Sequence, residues 1–231
     1  MHFVENPEAH RPYHHGDLRN ALVGAAADLA EVGGPEAVTI RAAARAVGVT
    51  PTAAYRHFAG QAELLHAAKD EALDRMTATI TGLVGQPPAD AGPIELAVRQ
   101  LTAAGRGYLE FAIAQPGLFR TAFCHGGEEI LEEGPDFDPE QVLMSAAPYA
   151  FLAAVLDTLV DVGWLAPGHR PNAEMAAWST VHGLAMLLLD GLCRHLSEER
   201  REEMISATLD AIVRGFATGP EASARSGVVS G

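Results

Sequence analysis

The stretch 39–58, TIRAAARAVGVTPTAAYRHF, leaves this chain little freedom of local structure. Thr39 is placed to cap a helix, and Ile40, Ala43, Ala44 and Val47 repeat at helical spacing, so one face of that helix is buried. Gly48 ends it and Val49 plugs the turn. Thr50 then caps a second helix, with Pro51 at the first-turn position where a missing N–H costs nothing. Ala54 and Phe58, four apart, face inward, which turns Thr52, Tyr55, Arg56 and His57 outward. A pair of short helices about a sharp turn, with polar and aromatic side chains left over, is the layout of a helix-turn-helix. There the second helix reads base edges in the major groove and the first crosses the backbone. The same spacing also suits an ordinary helical hairpin with a half-buried Tyr55 and a surface His57, so the flanking sequence has to decide.

Upstream, Leu18, Leu22, Ala25, Leu29 and Val32 predict a bracing helix with one apolar stripe, ended by Gly33 and Gly34. Downstream of Gly60, Leu64, Leu65, Ala68, Ala72 and Met76 open a longer amphipathic helix. Together YHHGDLRNAL, TIRAAARAVGVTPTAAYRHF and the following ELL resemble the N-terminal DNA-binding domain of TetR-type transcriptional regulators, over residues 12–66. Further on, Trp178, His182, Gly183, Ala185, Leu187 and Gly191 resemble the Trp-His-Gly signature of one C-terminal ligand-binding domain of that family. The alternative for this second patch is core filler, its glycines permitting close helix approach.

The resemblance implies an all-α fold: a three-helix DNA-binding head followed by a helical-bundle body for ligand binding and dimerisation. It further implies a homodimer that binds a double-stranded palindromic operator and is released by a small-molecule effector, with repression as the default. The expected DNA contacts are Arg11, His14, His15, Thr39, Arg41, Thr50, Pro51, Thr52, Ala53, Tyr55, Arg56, His57 and Gln61. Arg41 and Thr52 are the expected polar base contacts, while Pro51 and Ala53 suit thymine methyls. Relatives commonly carry Lys where this chain has Gln61, and Gln donates a neutral bond to phosphate without supplying charge.

A net charge of −14 argues at first against a polyanionic partner, so its distribution matters more than its sum. Residues 11–58 hold Arg11, Arg19, Arg41, Arg45 and Arg56 against Asp17, Asp28, Glu31 and Glu36, a balance of +1, with His14, His15 and His57 as further donors. The acid lies mostly in the body, which fits a head that depends on a few placed contacts. Cys124 and Cys193 follow neither a metal nor a disulfide pattern and read as reduced and structural. With no hydrophobic leader and no apolar run long enough for a bilayer, a cytoplasmic location without membrane attachment is expected. No phosphate-cradling glycine loop, HExxH or nucleophile motif occurs, so neither catalytic residues nor a cofactor nor a metal is expected. An all-helical enzyme and an interaction scaffold without DNA binding are the competing classes.

Four segments follow: an arm at 1–11, the head at 12–66, the body at 67–218 and a disordered tail at 219–231. Asp17 is expected to cap the first helix, a loop to cover 84–93, and an acidic loop 126–137. A helix is expected from Asp138 to Gly163, broken or kinked at Pro148, and another over Trp178–His195, with Ser197 capping the last. In the body, Tyr108, Phe111, Phe119, Phe123, Met144, Tyr149, Trp178, His182 and Met186 are the candidate ligand-binding residues, because bundles with such interiors hold ligands between helices. Trp178 and His182 lie one turn apart, and an imidazole inside an apolar bundle needs a partner. Val181, Leu188, Leu209, Ile212 and Phe216 form the stripes expected at the dimer interface.

Overall fold

The computed structural model describes residues 15–123 and 146–217, with side chains from residue 18 onward. Nine α-helices and no strands occur among them: α1 His15–Gly33, α2 Ile40–Val47, α3 Pro51–Ala54, α4 Gln61–Val84, α5 Pro93–Ala114, α6 Pro116–Phe123, α7 Ala147–Asp161, α8 Ala173–Leu189 and α9 Glu198–Phe216. None is long and apolar enough to cross a membrane. The arm residues Arg11 and His14, the acidic loop, Cys124, Met144 and the tail lie outside the described residues. So does the side chain of His15, although its backbone opens α1.

The head follows its capping chemistry. Thr39 Oγ1 accepts the Ala42 N–H at 3.1 Å, and Thr50 Oγ1 accepts the Ala53 N–H at 3.3 Å. Gly48 adopts the left-handed conformation at φ 77°, which a side chain would resist, and the Val49 N–H closes the turn on Ala44 O at 2.9 Å. The second helix is shorter than expected: regular α-helix covers Pro51–Ala54, and hydrogen-bonded turns carry the chain on to Phe58. Phe58 is buried, with the Arg19 guanidinium 5.0 Å over its ring.

Two expectations for α1 are corrected. The helix begins at His15, so Asp17 sits inside its first turn rather than at the cap. Val32 is 92% exposed, and the buried face is Leu22, Ala26, Ala27 and Ala30. Alanines line this face, where α1 packs closely on both α4 and α6, while Val32 in the last turn lies on the solvent side. At Gly117, in α6, a Cβ would collide with the backbone oxygens of Ala30 and Glu31, so only glycine lets α6 abut the end of α1. Arg75 of α4 adds an ionic clasp, reaching Glu71 at 2.9 Å, Asp28 at 3.3 Å and Glu31 at 3.8 Å.

One hydrophobic core runs without interruption from Leu22 and Phe58 in the head, along Leu64, Ala72, Met76 and Ile80 of α4, to Tyr108, Val181 and Leu209 in the body. A smaller cluster joins Leu101 of α5 to Val155, Leu156 and Leu159 of α7 and to Leu165. In the body, α7 begins at Ala147 after an extended Ala146, which puts Pro148 in the first turn, where it is tolerated, so the expected interruption at Pro148 is a helix start rather than a kink. The helix expected to reach His195 ends at Leu189: the N–H groups of Asp190 and Gly191 both bond to Met186 O, and Leu192–His195 is a separate 3-10 turn. Ser197 caps α9 as expected, accepting the Arg200 N–H at 3.3 Å.

Candidate nucleic-acid interface and body cavity

On the outer side of α2 and α3, Arg41, Arg45, Pro51, Thr52, Tyr55 and Arg56 are exposed together, and Tyr55 keeps 54% of its surface in solvent. Exposure of so large a ring has no packing explanation, whereas the Ala54 and Phe58 side of the same turn is closed. His57 and Ala53 are half-buried at its edge. Thr39 and Thr50 spend their hydroxyl oxygens on capping, which fixes the two helices that carry the exposed groups. Gln61 is exposed in the first turn of α4, whose N-terminus has no side-chain cap; the nearby Glu63 carboxylate instead accepts the Ala59 N–H at 2.6 Å. That end of α4 therefore offers amide donors and the positive end of a helix dipole beside the α3 surface.

Inside the body a cavity with roughly 680 Å³ of unfilled space, some of it open to solvent, lies between α4, α5, α7, α8 and α9. Tyr108, Phe123, Tyr149 and Trp178 are among its walls, together with Leu73 and Ile80 of α4. Behind the wall sits a polar chain: the Trp178 indole N–H donates to Tyr108 Oη at 3.2 Å, and Tyr108 Oη is 2.6 Å from His182 Nδ1. The imidazole tautomer decides which of the two donates. Burial holds the His182 imidazole below its ordinary pKa, which favours the neutral ring. Burial likewise pushes the Tyr108 phenol well above its usual range, partly opposed by the Trp178 bond, so the phenol keeps its proton. Phe119 lies stacked on His182 with centroids 5.7 Å apart, and Phe123 meets the ring edge-on at 5.1 Å. Three helices, α5, α6 and α8, thus converge on one imidazole.

The structure divides the expected ligand-binding set. Phe111 is sealed in the core and is not among the residues of the cavity wall; Phe119 is equally buried and meets His182 rather than the cavity. Met186 points away from the bundle, 41% exposed, because the inward face of α8 is taken by Ala177, Val181, Leu184, Ala185 and Leu188. The expected interface stripe is largely used within the chain. Val181, Leu188 and Leu209 are buried in its own core, Val181, Leu209 and Ile212 face the cavity, and half-buried Phe216 packs on the Leu165 cluster. Gly183 has open space where a Cβ would stand, so it is not a point of close approach within the chain.

Sequence reasoning missed Leu73, Ile80, Leu101, Thr102, Gly105, Leu152 and Val213 of the cavity wall. The seven-residue spacing of Leu73 and Ile80 puts them on one side of α4, a periodicity that is legible, but it reads equally as ordinary core. Four ion-pair hubs were also invisible, among them Arg120–Asp190 at 2.6 Å, which ties α6 to the end of α8.

Residues 22–68 match the family described as bacterial regulatory proteins, tetR family, and residues 101–212 match the tetracyclin repressor-like C-terminal domain. A curated relative, the uncharacterized HTH-type transcriptional regulator YobS of Bacillus subtilis (strain 168), is 23% identical over 208 residues, covering 88% of this chain and 93% of its own. A solved protein of unknown function from Rhodococcus sp. RHA1 superimposes with TM-score 0.67 at 26% identity, over 90% of this chain and 99% of its own. The crystal structure of a putative tetR family transcription regulator from Shewanella sp. PV-4 does so with TM-score 0.57 at 16% identity, over 87% and 99%.

Proposed function

The chain is a DNA-binding transcriptional regulator of the TetR family, and we propose that it acts as a homodimer whose heads grip a two-fold DNA site and release it when a small, mostly apolar effector enters the body cavity. The observation that carries this reading is α4. It begins at Gln61 beside the exposed Arg41, Thr52 and Tyr55 face, and farther along the same helix Leu73 and Ile80 form part of the cavity wall. A helix of its 24 residues is about 36 Å long, so a ligand that displaces its middle tilts the head at its end. Two heads on a palindrome must stand about 34 to 36 Å apart, or a multiple, and a shift of a few ångströms costs one half-site. The contact of α6 with the end of α1 gives a second route, since Phe123 lies at the cavity and Gly117 at the head.

The dimer surface is proposed on the outward side of α8 rather than on the stripes that the chain buries itself. Met175, Ser179, Gly183, Met186 and Leu187 are exposed there, and Ala207 and Ala211 are exposed on α9. Small residues in the middle and apolar ones at the ends suit two helix pairs packing about a two-fold axis. Sedimentation tests this directly. Wild type should run as a dimer at micromolar concentration, and Gly183→Arg with Met186→Glu as a folded monomer with weakened operator binding; a double variant that remains dimeric would move the interface elsewhere.

A further inference from the structure

The side chains at the start of α3 restrict what DNA sequence the head selects, and this rests on α2 and α3 being its DNA-reading surface. In a helix-turn-helix the first residues of the second helix meet the base edges. Here they are Thr50, Pro51, Thr52 and Ala53, and none carries an amide, a guanidinium or a carboxylate. The groups that identify guanine, adenine or cytosine by hydrogen bonds are therefore missing from this turn. Its backbone adds little. Pro51 has no N–H, and the Ala53 N–H is held by Thr50, 2.9 Å from its carbonyl oxygen and 3.3 Å from its hydroxyl oxygen. The hydroxyls of Thr50 and Thr52 rotate to donate or to accept, so neither tells one base from another on its own. Apolar groups remain. Pro51 and Thr52 are both exposed, which makes a pyrrolidine ring and a γ-methyl group the apolar surface on offer, whereas Ala53 is half-buried. Regular helix ends at Ala54, so Tyr55 and Arg56 leave from the turn that follows. Among the four bases, thymine alone carries a methyl group in the major groove.

We infer that the head reads its half-site through the C5-methyl groups of thymine, packed against the Pro51 ring and the Thr52 γ-methyl. A·T pairs then lie under α3, and apolar contact rather than a hydrogen-bond code fixes their order. Arg41 of α2 acts separately, since a guanidinium reads guanine or phosphate and does not sense that methyl.

The test starts from the duplex that the full chain selects out of a random-sequence library. Its affinity is measured by fluorescence anisotropy beside that of the same duplex with uracil replacing thymine in both half-sites. Uracil pairs as thymine does and lacks only the methyl. Wild type should bind the uracil duplex at least tenfold more weakly, each lost methyl contact being worth roughly fourfold, while the same replacement outside the half-sites changes affinity less than twofold. In Thr52→Ser, which keeps the hydroxyl, and in Pro51→Ala the thymine-to-uracil ratio should fall at least threefold. Each variant serves as its own reference, so a general weakening does not mimic the effect. In Arg41→Ala the ratio should stay as in wild type although both duplexes bind less tightly. Equal affinity of wild type for the thymine and uracil duplexes overturns the inference, as do selected half-sites without thymine, and in both cases the head remains a DNA reader. A ratio unchanged in both Thr52→Ser and Pro51→Ala overturns the assignment to these residues. If the full chain selects no sequence at all, the DNA-reading surface itself falls together with the inference.

Discussion

Head and body are built on opposite principles. In the head, the caps and the turn are set by residues close in sequence: Thr39 caps at Ala42, Gly48 turns the chain, Thr50 caps at Ala53, and Ala54 pairs with Phe58. In the body, the decisive contacts join residues far apart, with Tyr108 of α5 reaching Trp178 and His182 of α8, and Arg106 reaching Glu202 at 2.6 Å. The difference matches the work proposed for each. A surface that must meet DNA in a fixed shape gains from short-range rigidity, whereas a cavity that must couple to α4 gains from contacts spread over several helices.

The contrast can be broken most severely at Phe58. Phe58→Ala removes the largest buried side chain of the head and should cost about 3 to 5 kcal/mol, read as a fall in melting temperature and loss of operator binding. Although the head shares its core with α4, the contrast predicts that body helicity partly survives; a single cooperative melt with all helix lost together would mean the regions are not energetically separable. Tyr108→Phe is the counterpart in the body. It strands the Trp178 N–H and the His182 ring nitrogen, costing about 1 to 3 kcal/mol by chemical denaturation, while operator affinity without ligand stays within twofold. Thr39→Ala should cost about 1 kcal/mol, through one lost cap, with cavity binding unaffected.

What the sequence made legible follows the same line. The caps, the Gly48 turn, the Ser197 cap and the exposed Tyr55 are local, and the structure has them where residue spacing put them. On α1 the choice between Val32 and Ala26 depended on what packs opposite, which spacing alone does not carry. On α8, AEMAAWSTVHGLAMLLL is apolar nearly all round, so its inward side could not be told from its outward one. Met186 was therefore assigned inward and Val181 outward, the reverse of what the bundle does. Trp178 and His182 were recognisable as a pair, but their shared partner Tyr108 lies 70 and 74 residues away.

The smallest effect expected is on pH dependence. Burial lowers the folded-state pKa of His182 below its unfolded value near 6.5, so the unfolded chain takes up the proton first. The stability gained from the neutral, Tyr108-bonded imidazole is present above pH 6.5 and is lost as pH falls from there towards the folded-state value. His182→Gln should flatten that part of the melting-temperature profile between pH 7.5 and 5.5, and an unaltered slope would assign it to other groups.

The central claim, that the exposed side of α2 and α3 is the DNA-reading surface, is tested most directly by fluorescence anisotropy on a labelled duplex from upstream of the protein's own gene. Wild type should bind it well above an unrelated duplex and weaken steeply with salt. Arg41→Ala should cost about 1 to 3 kcal/mol and relax preference at particular bases, and adding Tyr55→Ala should weaken binding further without lowering the melting temperature. A double variant that binds as wild type does, with the same preference for its own duplex, would contradict the account.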